Sequence, residues 1–252
     1  MPVIPALRSD EVHVWRASLA GPSPGPGTDS SLLSREEGDR AARFISADHR
    51  DRWAASRAIL RRILAAYLGD DPAALRFRAG AQGKPALLRT EGHGDVRFNL
   101  SHSGGVALVA VALGREVGVD VERIREDAAG ERLAERFFAP AEAAALRTIP
   151  ARQRAPAFFA CWTRKEAYLK ARGVGLTFGL DRVIVPVLPE EPASLLAVEG
   201  EPGEASRWQL EDLRLAAGFA GAVAVEGRGS RILQLDWPPE GPGGAHPDSS
   251  RS

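Results

Sequence analysis

The segment VGVDVERI (117–124) carries two carboxylates two residues apart. Side chains alternate along a strand, so Asp120 and Glu122 share one face while Val119 and Val121 take the other. Adjacent carboxylates repel each other unless a cation or hydrogen bonds compensate. A hard divalent ion such as Mg²⁺, bound through oxygen, suits such a pair, although D-x-E also fits two ordinary solvated acids on a strand edge. In FFACWTRKEAYLKARGVGL (158–176), Trp162, Glu166 and Lys170 fall at i, i+4 and i+8 on one helical stripe. Glu166 suits a third metal carboxylate or a general base, and Lys170 suits an anion held by that metal. The other reading is a solvated Glu–Lys pair, but the stripe begins at a tryptophan and follows Phe158 and Phe159, and buried charge needs partners.

Two loops add groups for phosphate. RFNLSHSGGVALVAVA (97–112) reads as a strand running into a turn at SHSGG, where Ser101 offers a hydroxyl and His102 a ring nitrogen. AQGKP (81–85) sets Lys84 in a second Gly/Pro loop suited to anion contact. Arg50, Arg52 and Arg57 line the start of a helix and add positive charge. The 33 basic residues comprise 30 Arg and only three Lys, at 84, 165 and 170. In so Arg-rich a chain, the surviving lysines mark places where a compact, flexible ammonium is wanted. Three carboxylates, two or three lysines, a histidine and two glycine-bearing loops together suggest metal-assisted chemistry on a phosphorylated substrate.

The elements that must position these groups follow from periodicity and punctuation. Strand EVHVWRASL (11–19) precedes a Pro/Gly/Ser-rich loop at 20–31. Helices are predicted at Ser34–Ile45 and His49–Leu68, then strands at Leu75–Arg78, Val96–Leu100, Val106–Leu113 and Val117–Glu122. Helices follow at Glu131–Phe137, Pro140–Leu146 and Pro156–Ala171, the last closed by Gly173. Strands are expected at Val183–Leu188, Trp208–Leu215, Phe219–Glu226 and Ile232–Leu235. The fold class is α+β, as two similar lobes: an N-terminal lobe 1–115 with the anion-binding loops and a C-terminal lobe 116–236 with the carboxylates. The tail 237–252, WPPEGPGGAHPDSSRS, is too poor in apolar residues to order itself.

Composition removes other classes. The 252 residues balance 33 Lys+Arg with 33 Asp+Glu, which leaves no basic field for nucleic acid. A single cysteine, Cys161, excludes an internal disulfide framework and a multi-cysteine zinc site. The longest apolar run, Val106–Leu113, falls far below the ~20 residues of a membrane span. The opening MPVIPALRSDEVHVW has no basic region followed by an apolar stretch, so no signal peptide is expected and a cytoplasmic location is.

QGKP, FNLSHSGG, VGVDVERI, RFFAPAE and CWTRKEAYLKARGVGL, in this order and at these intervals, resemble the 4′-phosphopantetheinyl transferases of the surfactin-synthetase-activating (Sfp) type over roughly residues 40–225. The resemblance implies transfer of the phosphopantetheine arm of coenzyme A to a serine of an apo acyl or peptidyl carrier protein, releasing adenosine 3′,5′-bisphosphate. It also implies pseudo-twofold α+β lobes, with coenzyme A and Mg²⁺ in the cleft between them, and one chain sufficient as a monomer. Carried over, Asp120, Glu122 and Glu166 match the Mg²⁺ carboxylates, with Glu166 also a base for the carrier serine. Lys170 matches the pyrophosphate lysine, Ser101 and His102 the coenzyme A phosphate contacts, and Lys84 the loop beside the nucleotide. For the 3′-phosphate the chain departs from the family's spacing, and Arg52 is preferred over Arg50 and Arg57.

Two other readings stay open at this stage. A metal-dependent nuclease would place its E-x-K triplet on a strand, whereas KEAYLK sits in helical context in a chain of zero net charge. A non-catalytic relative that binds coenzyme A or a carrier would be expected to lack a metal carboxylate, and all three are present.

Overall fold

The computed structural model describes residues 3–19, 30–80, 82–88, 94–126, 129–188 and 191–239. Most of the expected loop at 20–31 and the tail from 240 onward lie outside these residues.

Strand β1 (Glu11–Ser18) is followed by helix α1 (Arg35–Ala42), which starts at Ser34 in a capping box with Glu37. Helix α2 (Ala47–Leu68) is capped by Ser46 and ends at Gly69, whose φ of 74° only glycine adopts freely. Two three-residue strands, β2 (Phe77–Ala79) and β3 (Pro85–Leu87), pair as a hairpin. β4 (Val96–Ser103), β5 (Val106–Leu113) and β6 (Val117–Arg123) lead to α3 (Ala129–Phe137), α4 (Pro140–Thr148) and α5 (Ala151–Arg172). α5 starts five residues earlier than Pro156 and ends, as expected, at Gly173 with φ 70°. The chain finishes with β7 (Val183–Ile184), β8 (Ala197–Val198), β9 (Trp208–Asp212), β10 (Phe219–Glu226) and β11 (Arg231–Trp237).

These elements stack in four layers. A four-stranded sheet ordered β11-β1-β5-β4 and a three-stranded sheet ordered β6-β10-β9 enclose a valine-rich core. In it Val12 and Val14 of β1 and Leu108 of β5 meet Val117, Val119 and Val121 of β6. α2 covers the outer face of the first sheet through Ile59, Leu60, Ile63 and Leu64, and α5 covers the second through Phe158, Tyr168 and Leu169. Each half is thus a sheet backed by a 22-residue helix that ends in a left-handed glycine.

Three expectations change. β11 lies parallel to β1, with Glu11 opposite Arg231, so the strand assigned to the C-terminal lobe completes the N-terminal sheet. Trp237, expected to open the tail, is buried edge-on to Trp15 at 5.6 Å between ring centroids. Finally, Ser101, His102 and Ser103 belong to β4; the turn itself is Gly104 and Gly105, with φ of 55° and 93°.

Candidate active site

Alternation on β6 sends its valines into the core between the sheets and turns Gly118, Asp120 and Glu122 toward α5. The helix lies so close that a Cβ on residue 118 would sit 2.1 Å from the Ala167 carbonyl oxygen, which only glycine avoids. This approach brings Glu166 and Lys170 of α5 against the carboxylates of β6. Lys170 Nζ lies 2.5 Å from Asp120 Oδ1 and 3.0 Å from Ser101 Oγ, and Ser101 donates to Asp120 Oδ1 at 2.8 Å. Glu122 Oε2 accepts from Ser103 Oγ at 2.8 Å.

The site is overloaded with negative charge. Burial, then the neighbouring charge of Asp120, push Glu166 up to about 7, with Lys170 opposing and Glu122 adding. Glu122 is also raised, mainly by burial, while its bond from Ser103 works the other way. Asp120 is 3% exposed, and its Oδ2 is buried without a hydrogen-bond partner. A buried, unpaired carboxylate oxygen beside two further acids is what a hard cation would satisfy, so these residues fit a divalent ion. Among the described residues, no three His, Cys, Asp or Glu side chains converge as a ready-made metal cluster.

A cleft leads away from Lys170 across β4. A cavity of about 220 Å³ lined by Gln82, Gly83, Asn99 and Lys170 adjoins one of about 870 Å³ lined by Arg40, Arg57, Arg76, Arg78 and His102. Gly83, Pro85 and Leu100 line both. His102 therefore faces the larger cavity while Ser101, its neighbour in the strand, faces the carboxylates. Packing around the ring, with the charges of Lys170 and Arg52, holds the His102 pKa below its usual range even though the residue is exposed.

Two site expectations change here. The Lys84 ammonium is not free for an anion: it donates to Glu116 Oε2 at 2.8 Å, the Ala171 carbonyl at 2.9 Å and the Val117 carbonyl at 3.2 Å, which uses all three of its donors. Its side chain ties the β2–β3 loop to the end of α5, and the loop meets the cleft through Gly83 and Pro85. Arg50 and Arg52 are held in local pairs with Asp51 and Asp48, each at 3.0 Å. Arg57 instead reaches the large cavity, paired with Glu37 at 2.7 Å and set over the Phe77 ring. Arg40, Arg76 and Arg78 were missed; the only sequence signal was that 76 and 78 share one face of an extended segment.

Two family models match the chain, one in each half. The 4′-phosphopantetheinyl transferase superfamily model matches residues 116–224, and the model for the 4′-phosphopantetheinyl transferase N-terminal region matches 28–113. The chain belongs to the 4′-phosphopantetheinyl transferase superfamily. It is 41% identical over 223 residues to the 4′-phosphopantetheinyl transferase HetI of Nostoc sp., covering 88% of this chain and 91% of that one. A phosphopantetheinyl transferase of Thraustochytrium sp. is 31% identical, over 80% of this chain and 75% of its own. The 4′-phosphopantetheinyl transferase of Bacillus subtilis is 29% identical, over 68% and 73%. A solved holo-[acyl-carrier-protein] synthase of Thermotoga maritima overlaps 46% of this chain and 64% of its own, at 25% identity and a TM-score of 0.36.

Proposed function

We propose that this enzyme, of the surfactin-synthetase-activating type, moves the 4′-phosphopantetheine arm of coenzyme A to a serine of an apo acyl or peptidyl carrier protein. Adenosine 3′,5′-bisphosphate leaves, and Mg²⁺ is required. The observation that carries this reading is the meeting of Asp120, Glu122 and Glu166 with Lys170 at the end of an arginine-lined cleft. When bound, the cation supplies positive charge shared between the carboxylates and the pyrophosphate of coenzyme A. The adenosine bisphosphate end lies in the large cavity, where Arg40, Arg76, Arg78 and His102 meet its phosphates. Arg52 stays a candidate for the 3′-phosphate through its charge at that histidine.

In the reaction the carrier serine oxygen forms a bond to the pantetheine-side phosphorus, and the P–O bond to the nucleotide phosphate breaks. Glu166 is the candidate base for the serine proton, directly or through water. Lys170 turns from Asp120 to the pyrophosphate oxygens and offsets the charge on the departing bisphosphate. Among the described residues no helix is long and apolar enough to cross a membrane. We place the enzyme in the cytoplasm as a monomer, since both halves of the site come from one chain.

The test is incubation with coenzyme A, Mg²⁺ and a panel of purified apo carriers, followed by intact-mass measurement. The expected result is the gain of one phosphopantetheine, abolished by a chelator. Folded protein that modifies no carrier would make it a coenzyme A- or carrier-binding relative instead.

A further inference from the structure

Strands β4 and β6 run side by side yet belong to separate sheets, with no backbone ladder joining them. Three alternate side chains of β4 bridge the gap. Asn99 Oδ1 accepts from Val119 N–H at 2.9 Å, Ser101 Oγ from Val121 N–H at 3.4 Å and Ser103 Oγ from Arg123 N–H at 3.1 Å. Both strands advance by two residues at each rung, so this is a side-chain ladder in parallel register. A serine hydroxyl that accepts from the backbone still has one proton to give. Ser101 gives it to Asp120 and Ser103 to Glu122, each at 2.8 Å.

We propose that Ser103 is a positioning residue that fixes the Glu122 carboxylate for divalent-cation binding. Glu122 has three side-chain torsions and sits within the field of two other acids, so repulsion alone would drive it toward solvent. Ser103 is a fixed donor, because its own oxygen is held by the Arg123 backbone. The next residue helps: at Gly104 an added Cβ would lie 2.7 Å from Arg123 Cβ, so the turn presses against the end of β6. A donor locked in place before the ligand arrives removes an ordering penalty from binding.

This inference rests on the assignment of Glu122 as a cation ligand, and the experiment keeps the two apart. Mg²⁺ binding is measured by calorimetry with coenzyme A present and carrier absent, in wild type, Ser103→Ala and Ser103→Thr. The expected result is about tenfold weaker Mg²⁺ binding for Ser103→Ala, as for loss of one hydrogen bond to a charged group. Metal-free coenzyme A binding stays at the wild-type value, and Ser103→Thr, which keeps the hydroxyl, restores the Mg²⁺ affinity. Wild-type affinity in Ser103→Ala, or equal weakness in the threonine variant, overturns the positioning role. Absence of Mg²⁺ binding by wild type overturns the ligand assignment itself, and the inference with it.

Discussion

Helix α5 carries two lysine–carboxylate pairs five residues apart, both at 2.5 Å, and they occupy opposite kinds of environment. Lys165 is completely buried against Glu142, and its other protons go to the Leu180 and Val183 carbonyls. Glu142 in turn accepts from the Ala139 and Val185 backbone N–H groups. Every donor and acceptor there is used, and the pair ties α4, α5 and β7 together. Lys170 is 30% exposed, shares Asp120 with Ser101, and leaves Asp120 Oδ2 without a partner. A sealed pair holds structure together; an open pair with an unmet oxygen can exchange its partner for substrate.

The sharpest way to break this contrast is to remove each charge in turn. Lys165→Met keeps the stem but strands Glu142 as an uncompensated buried charge, which destabilises by ~3–5 kcal/mol. Urea denaturation reads this directly. A Lys165→Met protein as stable as wild type would mean that the closed pair does not hold the helix.

The open pair is tested by rate. Asp120→Ala is expected to leave under about a hundredth of the transfer rate, and retention of more than about a tenth, under ~1.4 kcal/mol of barrier, would remove Asp120 from the site. Lys170→Arg conserves charge but replaces a compact ammonium with a planar fork, and is expected to lower the rate about tenfold with melting unchanged. Unchanged kinetics with arginine at 170 would make this lysine interchangeable with the chain's other cations.

Glu166→Gln should move stability in the opposite direction to Lys165→Met. A carboxyl raised from its ordinary 4.5 to about 7 on folding binds its proton more tightly in the native state. Its contribution is therefore favourable below pH 4.5, fades as pH rises through that window, and becomes a penalty that is complete above about 7. Without metal, Glu166→Gln is expected to be more stable than wild type at pH 8 by about 1 kcal/mol, and the gain should shrink toward pH 5. Transfer should be lost. Equal stability across that range would mean that the three acids do not strain one another.

The same contrast explains what the sequence made legible. Alternation in VGVDVERI, the Trp162–Glu166–Lys170 stripe and the Gly173 stop are local patterns, and β6, α5 and the facing carboxylates follow from them. Polar side chains whose partners lie far along the chain were misread. Ser101 and Ser103 look like turn residues until β6, 20 residues on, supplies the N–H groups they accept. Lys84 reads as an anion ligand until the Ala171 carbonyl, 87 residues away, accepts a hydrogen bond from it. β11 pairs with β1 across more than 200 residues, and no local rule encodes that register. Gly118 carries no signal of its own, because its need for bareness comes from the backbone of α5.

The smallest expected effect lies furthest from either lysine pair. On α3, Arg132 and Arg136 are exposed, while Leu133 and Phe137 turn inward against the core of the second half. Phe137 stands edge-on to Trp162, and Arg136 covers its ring at 5.0 Å. The apolar residues of this segment thus mainly close the core, leaving an arginine rim over partly buried aromatics. Such a rim suits an acidic carrier protein through steering and orientation more than through buried contact. Charge reversal at Arg132 or Arg136 is expected to raise the carrier KM a few-fold, in keeping with ~0.2–1 kcal/mol for an exposed pair. The effect should fade with added salt as the rim charges are screened. The coenzyme A KM is the internal control, since the proposed function puts its phosphates in the arginine-lined cavity and not on α3. A rise for the carrier alone places docking on this helix; no change for the carrier, or an equal rise for both substrates, removes α3 from the carrier interface.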